Sequence, residues 1–128
     1  MKRSFVLIML IICFLMTGCV IKQKLTSLEG MPADVLVQKV LITGEDCGWS
    51  PDLVRIQKGT HVILEVESAD WEYNFRVAHY GLAFIIPEGK KVTAEFYAKD
   101  EGEFEYGCYI ETGEKYFWGG MIGKFVVE

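Results

Sequence analysis

The residues able to do chemistry in this 128-residue chain are few, and several carry sulfur. There are four cysteines, Cys13, Cys19, Cys47 and Cys108, and only two histidines, His61 and His79. No Ser-His-Asp or Cys-His arrangement stands at convincing spacing, and there is no Gly-rich phosphate loop and no complete hydrolytic metal motif. Catalysis is therefore the weakest class of function. What remains is thiol chemistry, in which a thiolate bonds to a second sulfur or binds a soft metal ion. Which of these applies depends on where each cysteine ends up.

Cys13 and Cys19 belong to a segment with its own task. Lys2 and Arg3 give a charged start, residues 5–16 read FVLIMLIICFLM, and Thr17, Gly18 and Cys19 follow. An apolar run of about a dozen residues fits the core of an export signal and falls short of the ~20 needed to span a bilayer. Small residues directly before a cysteine resemble the lipobox of bacterial lipoproteins, whose cysteine thiol receives a diacylglycerol and becomes the new N-terminus. Met16 stands where that pattern prefers Leu. The resemblance implies a cleaved signal peptide over residues 1–18, lipidation at Cys19, and an exported protein anchored to the bacterial cell envelope on its periplasmic or extracellular face. Cys13 then leaves with the signal, and only Cys47 and Cys108 remain in a folded domain, in a compartment that permits a disulfide.

Residues 20–33 mix Lys22, Lys24, Ser27, Gly30 and Pro32 without a clear period, so residues 19–34 read as a tether between lipid and domain. Removing Lys2 and Arg3 takes the formal net charge from −5 to about −7. That acidity argues against nucleic acid or anionic lipid as the main partner, and suits a basic partner such as a small redox protein.

From Val35 the composition changes to short runs of Val, Ile, Phe and Tyr broken by Gly, Pro, Asp and Asn, the pattern of an all-β domain over residues 35–128. The expected strands are 35–43, 53–56, 62–66, 75–77, 92–98, 103–108 and 124–127. Alternation is cleanest in two of them. Val62, Leu64 and Val66 share one face opposite Ile63, Glu65 and Glu67, and Phe104, Tyr106 and Cys108 alternate with Glu103, Glu105 and Gly107. The second row places Cys108 at the end of a core-facing line. No internal repeat and no long amphipathic helix is visible, which excludes α/β folds and helix bundles. Turn signals at Lys58-Gly59, Pro87-Glu88-Gly89 and Asp100-Glu101-Gly102 are spaced for a Greek-key sandwich or barrel.

The order of motifs resembles the cupredoxin superfamily, and within it the periplasmic domain of cytochrome c oxidase subunit II. Trp49-Ser50-Pro51 to Ile56 followed by Lys58-Gly59 is similar to the family's opening strand. Tyr73-Asn74-Phe75 stands where subunit II carries His-x-Phe, with Tyr80-Gly81 and Pro87-Glu88-Gly89 after it. Glu101 to Cys108 is similar to Gly-x-(Tyr/Phe)-x-(Tyr/Phe)-x-Cys, and Met121-Ile122-Gly123 to the Met-x-Gly before a last apolar strand. The resemblance implies a cupredoxin-like β-sandwich, copper as cofactor, and Cys108 and Met121 as surviving ligands. It also implies a role in electron transfer or Cu(I) handling, with a redox protein or respiratory complex as partner.

The sequence departs from that pattern at the other ligands. Tyr73 replaces the mid-chain histidine, Thr112 falls where a second cysteine would be, and Tyr116 falls near the second histidine, so a binuclear centre is not expected. His61, at the start of a strand, reads as a surface residue, while His79 is a candidate to complete the set. Cys47 is a second candidate, since it precedes Trp49 by one alternation step and the family's topology brings that strand toward the copper end. Three arrangements stay open for Cys47 and Cys108: a disulfide, a two-thiolate site with Met121 that would suit Cu(I), or thiols that never meet. Tyr109, Tyr116, Phe117 and Trp118 concentrate aromatic groups near that end, beside Glu111 and Glu114. The competing function is a metal-free interaction module, an accessory part of a respiratory or surface complex.

Overall fold

The computed structural model describes residues 23–108 and 121–128. Within them the chain forms β1 (Thr26–Ser27), β2 (Val37–Glu45), β3 (Gly48–Ser50), β4 (Leu53–Ile56), β5 (His61–Ser68), β6 (Tyr73–Val77), β7 (Leu82–Ile86), β8 (Lys91–Tyr97), β9 (Gly102–Gly107) and β10 (Ile122–Val127), with one 3-10 turn at Ala78–Tyr80. They build two five-stranded sheets, ordered β1-β8-β5-β2-β3 and β4-β10-β9-β6-β7. Three pairings are parallel, β1 with β8, β2 with β5 and β4 with β10, and the rest are antiparallel. The expected all-β sandwich is the fold found.

Period-two patterning explains which faces meet. Val62, Leu64 and Val66 are fully buried, while Ile63, Glu65 and Glu67 keep partial access to solvent on the outer face of β5. On β9 the inward row runs from the half-buried Phe104 through Tyr106 to Cys108. Rings fill the space between the sheets: Phe75 stacks on Phe84 and Tyr106, Tyr106 tilts against Phe125, and Phe125 against Phe96. Each such buried ring contributes about 1.5–3 kcal/mol by leaving water. Tyr106 has room because its cross-strand partner is Gly123, where any Cβ would collide with the ring. Its hydroxyl donates to the Pro51 carbonyl at 2.7 Å.

The segment read as a tether is in part an element of the fold. The Lys24 N–H donates to Ala83 O at 2.8 Å and the Ala83 N–H returns the bond at 3.0 Å, while Gln23 Oε1 accepts from the Ile85 N–H at 3.2 Å. Two residues later β1 pairs with β8. This segment therefore runs from the β7 edge of one sheet to the β8 edge of the other and caps backbone groups that would otherwise stand exposed.

The β2–β3 hairpin also departs from expectation. Its turn residues Asp46 and Cys47 have φ of 50° and 57°, the left-handed pair of a two-residue hairpin turn whose twist matches the strands. The turn interrupts the alternation that would have given Cys47 and Trp49 one face. Trp49 points inward and is buried, whereas Cys47 is exposed at the tip.

Candidate metal centre

One end of the sandwich gathers the tip of the β2–β3 hairpin, the start of β6, the end of β9 and the start of β10. Cys108 leaves β9 and Met121 enters β10, next to the Gly107–Ile122 pair that opens the antiparallel ladder. The Cys108 N–H donates to Met121 O at 3.2 Å, and the Trp49 indole Nε1–H donates to the same carbonyl at 3.0 Å. Both side chains are buried, with 5% of Cys108 and 2% of Met121 exposed. Burial pushes the Cys108 thiol up from its ordinary pKa, the Asn74 backbone N–H aimed at its sulfur pulls part of the way back, and the nearby Cys47 thiol adds a smaller rise. Such an N–H stabilises the thiolate once a cation has replaced the proton.

Cys47 stands over this end at the hairpin tip. It and Cys108 are free thiols, with no bond between them. Their difference is one of access: a tip residue in a left-handed turn presents its sulfur to solvent, while Cys108 ends an inward row.

Tyr73, at the position where the resemblance puts a histidine ligand, is buried and packs edge-on against Trp49 with ring centroids 5.7 Å apart. Its hydroxyl does not serve the sulfurs. It donates to Asp70 Oδ1 at 2.6 Å and accepts a long 3.4 Å bond from the Cys47 N–H. Burial first, and the Asp70 carboxylate second, push the phenol well above its ordinary pKa, so Tyr73 stays protonated. A neutral phenol committed to a carboxylate is a poor metal ligand.

His79, the other candidate to complete the set, is placed apart from this cluster. It follows β6 in the 3-10 turn, stacks on Phe104 with centroids 3.8 Å apart and pairs with Asp100 at 2.8 Å. Phe104 precedes Cys108 by four residues on one strand line, about 13 Å of backbone at ~3.4 Å per residue, so the ring that His79 stacks on lies toward the opposite end. Packing against Phe104 and the hydrogen bond to Asp100 hold His79 there. His61 lies at the start of β5, also away from the thiols, partly buried beside Glu95 at 3.4 Å. Cys19 and the signal segment, along with Tyr109, Glu111, Thr112, Glu114, Tyr116, Phe117 and Trp118, lie outside the described residues.

Among the described residues no three His, Cys, Asp or Glu side chains gather into a metal-holding group. Three sulfurs do belong to one end: buried Cys108, buried Met121 and exposed Cys47. That donor set does not fit a Cu(II) site, which wants imidazole beside its thiolate. It fits soft, thiophilic Cu(I). Two residues that sequence reasoning passed over matter here. Asn74 supplies the N–H to the thiol, signalled only by its place after Tyr73, and Asp70 takes the tyrosine hydroxyl, signalled by nothing in its neighbourhood.

No protein-family model and no curated protein sequence matches the chain. Solved structures do. The metal-binding domain of the Cu(I)-exporting P-type ATPase CopA of Streptococcus pneumoniae D39, determined with Cu(I), superposes with a TM-score of 0.60 at 17% identity, over 80% of this chain and 95% of that one. A copper-binding protein solved in its apo form by NMR gives 0.60 at 20% identity, over 72% and 88%. Auracyanin A, a blue copper protein of the photosynthetic bacterium Chloroflexus aurantiacus, gives 0.57 at 16% identity, over 72% and 99%. At these identities the likeness is one of architecture: this chain has the cupredoxin fold.

Proposed function

We propose that the protein is a lipid-anchored, cupredoxin-like Cu(I)-handling protein of the bacterial cell envelope, with Cys108, Met121 and Cys47 as its ligands. The observation that carries this reading is the pairing of free thiols and a buried thioether with the lack of any imidazole at that end among the described residues. Sulfur donors favour Cu(I), and a site that holds only Cu(I) moves the ion rather than an electron. The unequal access of the two thiols supports the same role. Cys108 is positioned to retain the ion and Cys47 to meet a partner that delivers or accepts it. The structural likeness to the CopA domain determined with Cu(I) adds support at the level of fold.

Anchoring at Cys19 is the second part of the proposal. Gln23 is already hydrogen-bonded to β7, so three residues, and four steps of chain, separate the lipidated position from the fold. Extended chain spans at most ~3.3–3.6 Å per residue, which holds the domain within about 14 Å of the bilayer surface. Exchange with a membrane-embedded partner suits such a short leash. Mass spectrometry of the membrane fraction tests it: an N-terminal diacylglyceryl Cys19 is expected, and an intact Met1 or unmodified Cys19 contradicts it.

The copper reading is tested by anaerobic titration of reduced protein against a chromophoric Cu(I) chelator. One Cu(I) per chain, lost in Cys108→Ser, is the expected result. A well-folded protein that takes none would favour the metal-free interaction module, for which the filling of the ligand position by Tyr73 already speaks.

A further inference from the structure

From the hydrogen bonds at the hairpin tip we infer that Tyr73 and Asp70 form a latch that fixes Cys47 over Cys108, making Tyr73 a positioning residue for the sulfur site in the place where a ligand would stand. The inference rests on the Cu(I) reading for its purpose, but the latch itself is a property of the metal-free chain.

The tip needs holding. Asp46 and Cys47 both sit in the left-handed region, which costs non-glycine residues some strain even in a hairpin turn whose twist suits its strands, and bonds to the turn amides offset that cost. Those bonds are the latch. Asp70 Oδ2 accepts from the Asp46 N–H at 2.8 Å, and its other oxygen accepts from the Trp71 N–H at 3.0 Å and from the Tyr73 hydroxyl at 2.6 Å. The Tyr73 oxygen in turn accepts from the Cys47 N–H at 3.4 Å. One carboxylate and one phenol thus take the two amides of the turn. The last bond is long and weak alone, but the 2.6 Å bond to a carboxylate is of the strong, charge-assisted kind and fixes the phenol that receives it.

The ring is seated as firmly as its hydroxyl. A Cβ at Gly44, on the strand leading into the turn, would lie 2.8 Å from Trp49 and 2.9 Å from Tyr73, so glycine there lets both rings close on the hairpin backbone. The Ala69 N–H donates to the Gly44 carbonyl at 3.0 Å, tying the β5–β6 connection to the same strand. Asn74, the next residue, directs its N–H at Cys108. Consecutive residues of β6 therefore address the two thiols: Tyr73 holds the backbone that carries Cys47, and Asn74 orients Cys108. This geometry makes the exposed thiol a placed ligand and not a mobile one, which lowers the ordering cost when a metal joins it to Cys108.

The test uses Tyr73→Phe, which keeps the ring, and Asp70→Asn, read by amide hydrogen exchange in the metal-free protein and by anaerobic Cu(I) competition. In Tyr73→Phe the Cys47 amide should exchange about tenfold faster, the loss of roughly one hydrogen bond, while core amides such as Leu64 and Phe125 are unchanged. Cu(I) affinity should fall by a similar factor with the stoichiometry still one per chain. Asp70→Asn should free the Asp46 amide as well, and the double variant should be no worse than the stronger single one, since both act through one latch. Unchanged exchange at the tip overturns the latch. So does complete loss of copper with tip exchange unaltered, which would make Tyr73 a ligand. If wild-type protein binds no Cu(I), the function proposed above fails and the exchange measurement alone decides the latch.

Discussion

The two ends of the sandwich are built from the same strands and carry opposite chemistry. At one, Cys47, Cys108 and Met121 gather around Trp49 and Tyr73 with no imidazole among the described residues. At the other, His79 is clasped by Phe104, Tyr80 and Asp100, away from Cys108 along β9. β6 and β9 run between them, so the contrast is a matter of which residues sit at each terminus of two neighbouring strands. On the Cu(I) reading proposed above, the donors at the first end are all soft, and the oxidation state they would favour follows from that.

The largest effect that would break this contrast is the loss of the buried thiol. Cys108→Ser should cost more than about a hundredfold in Cu(I) affinity, since residues that merely orient ligands already cost 10–100-fold. His79→Ala should leave affinity unchanged, and a copper defect in that variant would overturn the division of roles. Met121→Leu comes next. The swap conserves volume, so stability should change by less than ~1.5 kcal/mol in denaturant unfolding, while Cu(I) affinity falls about tenfold. Equal affinity would remove Met121 from the site.

A smaller effect sharpens the other end. His79→Ala should destabilise the fold by about 0.5–1.5 kcal/mol through the lost ring stacking on Phe104, the partly exposed hydrogen bond to Asp100 adding little. The smallest is a pH effect at the hairpin. The Tyr73 hydroxyl above all holds the Asp70 carboxyl below its ordinary pKa, against the desolvation that raises it and with help from the amides of Asp46 and Trp71. A depressed carboxyl contributes stability that is complete above its unfolded pKa and is lost as pH falls through the lowered folded value. Protection of the Asp46 amide should therefore be constant near neutrality and decline only in strong acid, as read by hydrogen exchange normalised for intrinsic rates. Decline beginning near pH 6 would implicate a different group.

The regular parts of the fold were readable because each strand had one wet face. Residues 62–66 and 103–108 alternate cleanly, and both are strands with the expected residues inward. Leu82–Ile86 was missed for the converse reason. Its outward residues are Ala83 and Ile85, only partly exposed, so the run is apolar throughout and shows no period. Thr26–Ser27 and Gly48–Ser50 are too short to show one. At the site, Cys108 was placed by its row, whereas Cys47 followed no alternation, because a left-handed turn intervenes before Trp49. His79 looked available because a loop histidine near β6 could belong to either end, and only strand direction decides which. The role of Tyr73 depends on a bond to Asp70, a contact that no spacing rule encodes.

X-ray absorption spectroscopy of the copper-loaded protein, prepared under reducing conditions, tests the central claim most directly. The account predicts a Cu(I) edge with sulfur scatterers alone in the first shell, weakened in Cys108→Ser. Imidazole scattering, or a protein that retains no copper while fully folded, would contradict it.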